Sequence, residues 1–153
     1  MATKRQRVTD ALRVKRVQPI FNYWTERLGL GGSWHISYRF KDEINDHKTF
    51  AETYQNHPYS KGTIIFDRVC VDAATNQELE SATIHELCHL ILSPFSQTIH
   101  DQFGSSGYVG NILDSALEMC CENVAESLLR VRYGHNRAYH DPLVFADVTE
   151  VPE

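Results

Sequence analysis

The sequence lacks any apolar run approaching the roughly 18 residues that a membrane-spanning helix needs, so no transmembrane segment is expected. The N-terminus, Met-Ala-Thr-Lys-Arg-Gln-Arg, is charged and is followed by no apolar stretch of the kind that a secretory signal contains. We therefore expect a cytoplasmic protein. With 153 residues, of which 42% are hydrophobic, the chain fits a single compact domain over residues 1–153.

The spacing of the cysteines argues against a zinc or redox site of the CxxC type. The four cysteines include no CxxC pair; they are Cys70, Cys88, Cys120 and Cys121. Cys88 and either Cys120 or Cys121 fall on predicted apolar helix faces. We therefore predict reduced, buried thiols rather than two disulfides.

Lysine and arginine are absent from the whole stretch between Val69 and Leu129, although the net charge of the chain is only −5. The same stretch holds nine acidic residues: Asp72, Glu78, Glu80, Glu86, Asp101, Asp114, Glu118, Glu122 and Glu126. A field of one sign favours a bound cation and disfavours a phosphate backbone as the partner of this region.

Within this acidic stretch lies an HExxH pentapeptide, His85-Glu86-Leu87-Cys88-His89. On an α-helix, residues at i and i+4 lie one above the other, so His85 and His89 can bind one metal ion. Zinc with three protein ligands keeps a fourth position for water and lowers the pKa of that water from about 15.7 to about 7. Glu86 can then take a proton as the water attacks a carbonyl carbon. The motif predicts one zinc ion per chain and a catalytic Glu86.

The residues around the motif favour a helix. From Ala82 to Leu92, all residues outside the motif are uncharged, and neither proline nor glycine interrupts. Asn76 is an N-cap candidate and is followed by first-turn acids, so we expect a helix of roughly 15 residues. The alternative is a core helix whose histidines are simply hydrogen-bonded, but a carboxylate between two histidines on a mostly apolar helix is costly without a cation.

The rest of the chain predicts an α+β order. In sequence, the elements are a helix from about 18 to 29 with Pro19 in its first turn, a strand from Trp34 to Phe40, a strand from Thr63 to Val71, the motif helix, a glycine-bearing loop from Ser93 to Gly110 and a long helix from about 111 to 133. The polar stretch 41–62 is ambiguous, with a short strand over Phe50–Tyr54 as one interpretation. The basic segment 1–17 is a candidate extension of the first helix after a kink, and the tail 134–153 is expected to be irregular.

The long helix offers a third zinc ligand. At 100° per residue, its apolar face centres on Leu117, and Glu118 falls inside that face. A carboxylate on a core face is costly unless it is paired or coordinated, so Glu118 is the first choice as ligand. Glu122, one turn on, is placed to orient a ligand histidine, although the reverse assignment stays open, and Glu126 lies on the solvent side. His100 in the preceding loop is a further candidate ligand.

Taken together, the motif and the long helix resemble the gluzincin metallopeptidases, in particular the small ImmA/IrrE-like peptidases of bacteria, mobile elements and phages. The resemblance covers about residues 79–130 and includes Glu118 followed by Val124-Ala125 and Leu128-Leu129. It implies a minimal zincin-like domain that hydrolyses peptide bonds, with His85, His89 and Glu118 as zinc ligands and Glu86 as general base. Cys121-Glu122 stands where that group usually has an Ala-Asn pair.

The group that stabilises the oxyanion is not determined by the motif. Tyr108 and His100 are candidates, because both lie in the predicted loop next to the motif helix; further candidates in the C-terminal region are His135, Tyr139 and His140. The expected partner is a peptide or protein substrate, and the strand from Thr63 is predicted to bind it by edge pairing.

Two other functions stay open. A zincin fold can serve as a non-catalytic binding module for a host or partner protein, although Glu86 favours catalysis because a structural zinc needs no base. The basic N-terminal segment is a candidate for binding nucleic acid through Lys4, Arg5, Arg7, Arg13, Lys15 and Arg16. It lacks interleaved aromatic residues and a reader motif, which favours a solvated helix face.

Overall fold

The computed structural model describes residues 4–45, 48–56, 59–104 and 108–134, and the first side chain described is that of Thr9. These residues form α1 (Lys4–Arg27), β1 (His35–Lys41), β2 (Ala51–Asn56), β3 (Lys61–Asp67), α2 (Arg68–Ala73), α3 (Asn76–Phe103) and α4 (Tyr108–Tyr133). The predicted α+β class is confirmed. In this part of the chain, every helix is too short or too polar to cross a membrane.

The three strands form one mixed sheet in the order β1-β3-β2. β3 pairs in parallel with β1 and antiparallel with β2. Its residues 64–67 are buried, as expected for a central strand. The prediction that the strand from Thr63 offers a free edge is therefore wrong, because both of its sides are paired. The edge that lies beside the motif helix belongs to β2, the strand that the sequence left ambiguous.

β3 ends at Asp67 rather than at Val71, because the Asp67 carboxylate caps a short helix. Its Oδ1 accepts hydrogen bonds from the N–H groups of Val69 and Cys70 at 2.9 and 3.0 Å, and its Oδ2 accepts one from the Ile44 N–H at 3.0 Å. A carboxylate that satisfies the first N–H groups of a helix stabilises that helix. Residues 68–73 thus form α2 despite their strand-like composition.

The basic segment continues the first helix, so Pro19 lies in the interior of α1 and not in a first turn. Contacts with α2 stabilise this longer helix. Arg13, which is 8% exposed, pairs with both Asp10 and Asp72. Arg16 donates to the carbonyl oxygens at 71 and 74, at 2.6 Å each. These contacts compensate for the hydrogen bond that proline removes, and they leave fewer of the basic side chains for a nucleic acid.

The motif helix is longer than predicted, since α3 spans 28 residues from Asn76 to Phe103. Its N-cap is Thr75 and not Asn76: the Glu78 N–H donates to the Thr75 hydroxyl at 3.2 Å, and the Thr75 N–H donates to the Glu78 carboxylate at 2.7 Å. Residues 93–103, predicted as loop, are helical because α3 packs along α4. Such tertiary packing overrides the local effect of a proline within the segment.

The Glu80 carboxylate on α3 connects this helix to α1 and α4 through two hydrogen bonds and an ion pair. Glu80 is fully buried and accepts hydrogen bonds from Trp24 Nε1 at 2.6 Å and from the Tyr133 hydroxyl at 2.7 Å. Arg132 pairs with the same carboxylate at 3.2 Å. Because Trp24 belongs to α1 and the other two partners to α4, this cluster holds α4 against α3 near the first histidine of the motif.

Replacing Glu80 by alanine is expected to lower the free energy of unfolding by about 3–5 kcal/mol, because it removes the acceptor of the Trp24 and Tyr133 donors and the carboxylate that pairs with Arg132. Urea denaturation of the purified protein measures this change. The control is Glu26→Ala, which removes an exposed carboxylate of α1 and should stay within about 0.5 kcal/mol of wild type. Equal effects of the two variants would contradict the structural role of Glu80.

Candidate metal centre

Facing side chains of α3 and α4 bring the three predicted zinc ligands together. The Nε2 atoms of His85 and His89 are 3.1 Å apart. Glu118 Oε2 lies 3.2 Å from His85 Nε2, and its Oε1 lies 3.4 Å from His89 Nε2. These side chains form the one group of three or more potential metal ligands found among the described residues.

These residues are close enough to share one metal ion, since one ligand atom from each lies within 4.8 Å of the others. Ligand atoms about 2.0–2.2 Å from a tetrahedral ion lie about 3.3–3.6 Å from one another. The two Nε2 atoms are 3.1 Å apart, and each of them has a different Glu118 oxygen nearby, at 3.2 Å for His85 and at 3.4 Å for His89. The Glu118 side chain is 61% exposed, so the group opens toward solvent on one side and leaves room for a fourth ligand such as water.

The remaining ring nitrogens of both histidines face α4. His85 Nδ1 is 3.2 Å from Glu122 Oε2, and His89 Nδ1 is 3.6 Å from Cys121 Sγ. An Nδ1–H that donates to such an acceptor leaves Nε2 with a lone pair for a metal. Burial lowers the pKa of His89, which favours the neutral ring that a metal requires. Burial also raises the pKa of the Cys121 thiol to about 12, so this thiol stays neutral.

The buried face of α4 is rotated from the predicted one. Its buried residues are Gly110, Cys121, Ala125 and Leu129, whereas Cys120, Val124 and Val131 are exposed. The face centres near Ala125 instead of Leu117, a rotation of roughly 80° at 100° per residue. The rotation turns both Glu118 and Glu122 toward α3. The prediction was wrong because α4 carries more apolar residues than its contact surface covers.

All four cysteines lie in the described part of the chain and are free thiols there, as predicted. Burial was predicted for Cys88 and for Cys120 or Cys121. The structure buries Cys88 and Cys121 and exposes Cys120. Cys121 was expected only as a core residue; its position beside His89 depends on how α4 docks, which the sequence pattern does not show.

Glu86 projects toward β2. It is 8% exposed, and its Oε2 accepts a hydrogen bond from the Thr53 hydroxyl at 2.7 Å. Burial raises the pKa of Glu86, while the Thr53 hydrogen bond and the charge of His85 lower it. A carboxyl group whose pKa is raised beside a cleft is typical of acid–base chemistry. Sequence reasoning missed Thr53, because only the packing of β2 on α3 brings it to the motif.

An open cleft of about 800 Å³ connects the three ligands to β2. Its lining includes five carboxylates, those of Glu52, Glu78, Glu86, Glu118 and Glu122. Among the described residues that line it, there is no lysine or arginine. The cleft therefore has the one-sign acidic field that the sequence predicted, which favours a cation at its base.

Other predicted site residues lie elsewhere. His100 pairs with Asp114 across α3 and α4 at 3.4 Å, and Tyr108, at the start of α4, is 81% exposed. Neither His100 nor Tyr108 belongs to the described lining of the cleft. The further candidates for the oxyanion donor, His135, Tyr139 and His140, lie outside the described residues. The described structure thus places no predicted oxyanion donor at the cleft.

Comparisons with known proteins found no family model, no curated protein and no solved structure that matches this chain. Function is therefore inferred from the side chains of the cleft and from their geometry.

Proposed function

We propose that this protein is a zinc-dependent metallopeptidase that hydrolyses peptide bonds in the cleft between β2 and α3. The supporting observation is the group formed by His85, His89 and Glu118, whose potential ligand atoms lie within 4.8 Å of one another in the cleft that the buried Glu86 also lines. Structural zinc sites are closed by four protein ligands, whereas catalytic sites have three and keep one position open. Three ligands on an open cleft, with a separate carboxylate beside them, favour catalysis.

The side chains have distinct roles in this proposal. Zinc, when bound by the three ligands, supplies a Lewis acid that acidifies water and polarises the scissile carbonyl group. Glu86 takes a proton from the attacking water and passes it to the leaving amine, so that one water is consumed for each bond broken. Glu122 orients His85 through its Nδ1, as outer partners of metal-binding histidines commonly do.

Among the described strands, β2 lies at one edge of the sheet, and this edge is suited to an extended peptide. The Asp67 N–H donates to the Phe50 carbonyl at 2.9 Å, which identifies this pair as hydrogen-bonded across the strands. In an antiparallel ladder such pairs alternate, so the backbone groups of Ala51, Thr53 and Gln55 point away from β3. These three residues line the cleft. A substrate strand pairing there would lie alongside the motif helix, as in β-augmentation.

The purified protein is expected to bind one zinc ion per chain and to lose it on His89→Ala or His85→Ala, because each change removes one of three protein ligands. Elemental analysis after dialysis measures the zinc content, and hydrolysis of fluorescein-labelled casein with and without chelator measures the activity. His35→Ala is the control, since His35 is exposed on β1 and does not line the cleft. Full zinc occupancy in His89→Ala, or proteolysis that is insensitive to chelator, would contradict the proposal.

A further inference from the structure

Thr53 contacts the site in two different ways. Its hydroxyl lies 2.7 Å from Glu86 Oε2 and 3.1 Å from the Glu86 carbonyl oxygen on α3. Thr53 lies opposite Ile64 of β3 in a non-hydrogen-bonded pair, so its backbone N–H and carbonyl groups point away from β3, toward the outer edge of β2. The same residue thus joins the carboxylate of the motif to the strand edge on which a peptide can pair.

The Thr53 hydroxyl is the donor in its hydrogen bond with the Glu86 carboxylate, and this direction determines how Thr53 affects Glu86. A carboxylate only accepts, so the hydroxyl donates to Oε2, and the second oxygen is left to take a proton from water. A glutamate side chain has several rotatable bonds, and a fixed donor restricts the conformations that it samples. Proton transfer depends on such positioning, because a general base must lie within hydrogen-bond reach of the proton that it removes.

We infer that Thr53 is a positioning residue that holds the Glu86 carboxylate in place for proton transfer and couples it to substrate pairing along β2. This inference rests on the proposed peptidase function. A peptide bound along β2 restrains the strand that carries the hydroxyl, so binding of a longer peptide also restrains the base.

The test compares Thr53→Val, which keeps the shape and removes the donor, with Thr53→Ser, which keeps the donor. With an internally quenched octapeptide of mixed sequence as the probe, Thr53→Val should lower kcat by about 10- to 100-fold, the range typical of lost outer-shell partners. KM and zinc content should stay near wild type, because the hydrogen bonds of the hydroxyl go to Glu86 and the backbone groups of Thr53 are unchanged. Thr53→Ser should restore most of kcat.

The control for the chemical change is Thr63→Val. Thr63 lies on β3, its hydroxyl is hydrogen-bonded to that of Ser37 at 3.2 Å, and it is not part of the cleft lining. The kcat of Thr63→Val should therefore equal that of wild type. Thr53→Ala must show the same loss of kcat as Thr53→Val, which makes the result independent of how well valine packs. Circular dichroism confirms that each variant is folded before its kinetics are compared.

Two further measurements separate positioning from a structural role. Replacing the octapeptide by a tetrapeptide should lower the kcat of wild type. The decrease should be much smaller in Thr53→Val, because β2 no longer holds the Glu86 carboxylate in that variant. Acetohydroxamate, which chelates zinc and donates a proton to a neighbouring carboxylate, should bind the zinc-loaded Thr53→Val protein about 10-fold more weakly. When Glu86 is already replaced by glutamine, adding Thr53→Val should leave the affinity for acetohydroxamate unchanged.

The outcomes are distinguishable. If wild type binds zinc and cleaves the octapeptide but Thr53→Val matches it in kcat and in acetohydroxamate affinity, the role of Thr53 is overturned while the peptidase function stands. If Thr53→Val loses zinc along with activity, Thr53 supports the metal site and not the base, and the inference is again overturned. If wild type neither binds zinc nor cleaves any probe, the proposed function fails and the inference fails with it.

Discussion

Glu86→Gln is expected to reduce peptide hydrolysis by a factor on the order of one hundred or more while zinc stays bound. The substitution preserves the size of the side chain and removes the group that accepts a proton. Glu86 is not one of the three clustered ligands, so the metal affinity should change little. Turnover of labelled casein and zinc content of the same preparation measure the two effects separately.

The result also separates two of the candidate functions. Chelator-sensitive proteolysis that survives Glu86→Gln undiminished would show that another group is the base. A wild-type protein that binds zinc and cleaves no peptide would instead favour the non-catalytic binding module with a zincin fold. Glu43→Gln, an exposed residue between β1 and β2, is the matched control for the amide substitution.

Glu118→Ala is expected to empty the metal site, whereas Glu122→Ala should weaken zinc binding by only about 10- to 100-fold. The difference follows from geometry: Glu118 lies 3.2 and 3.4 Å from the two Nε2 atoms, while Glu122 lies 3.2 Å from Nδ1 of His85, on the far side of that ring. Titration of each variant with zinc against a competing chelator gives the affinities.

Glu126→Ala is the control on the same helix. Glu126 pairs with Arg130 one turn away at 2.9 Å and does not line the cleft, so its removal should leave zinc affinity unchanged. Loss of metal in Glu122→Ala together with retention in Glu118→Ala would reverse the two assignments. Wild-type affinity in both variants would exclude α4 as the source of the third ligand.

Local patterns predicted the features that depend on nearby residues. The i, i+4 spacing of His85 and His89 is a property of any helix, and the structure accordingly brings their Nε2 atoms to 3.1 Å. The alternation along residues 34–40 predicted a strand with one buried face; the structure confirms the strand and the alternation, but the inward face of β1 is only half-buried. The glycines after residue 28 predicted the end of α1, and Gly29 has a positive φ of 69°.

Features that depend on distant residues were predicted less well. The end of β3 depends on the Asp67 carboxylate, whose acceptor role is visible only when the chain folds around it. Apolar periodicity identified α4 but not the face that it buries, because the exposed residues Cys120 and Val124 are as apolar as the buried ones. The contact between Thr53 and Glu86 crosses from strand to helix, and no spacing in the sequence encodes it.

The division of the site between two helices has a consequence for biosynthesis. His85 and His89 belong to α3, while Glu118 and the partners of both ring nitrogens belong to α4, which is made later during translation. A nascent chain that has folded only as far as α3 holds the two histidines without the partners that they contact on α4. The group of His85, His89 and Glu118 therefore forms only after α4 has left the ribosome and docked against α3, where Tyr133 and Arg132 contact Glu80. In a peptidase, this order would keep the growing chain inert until its fold is finished.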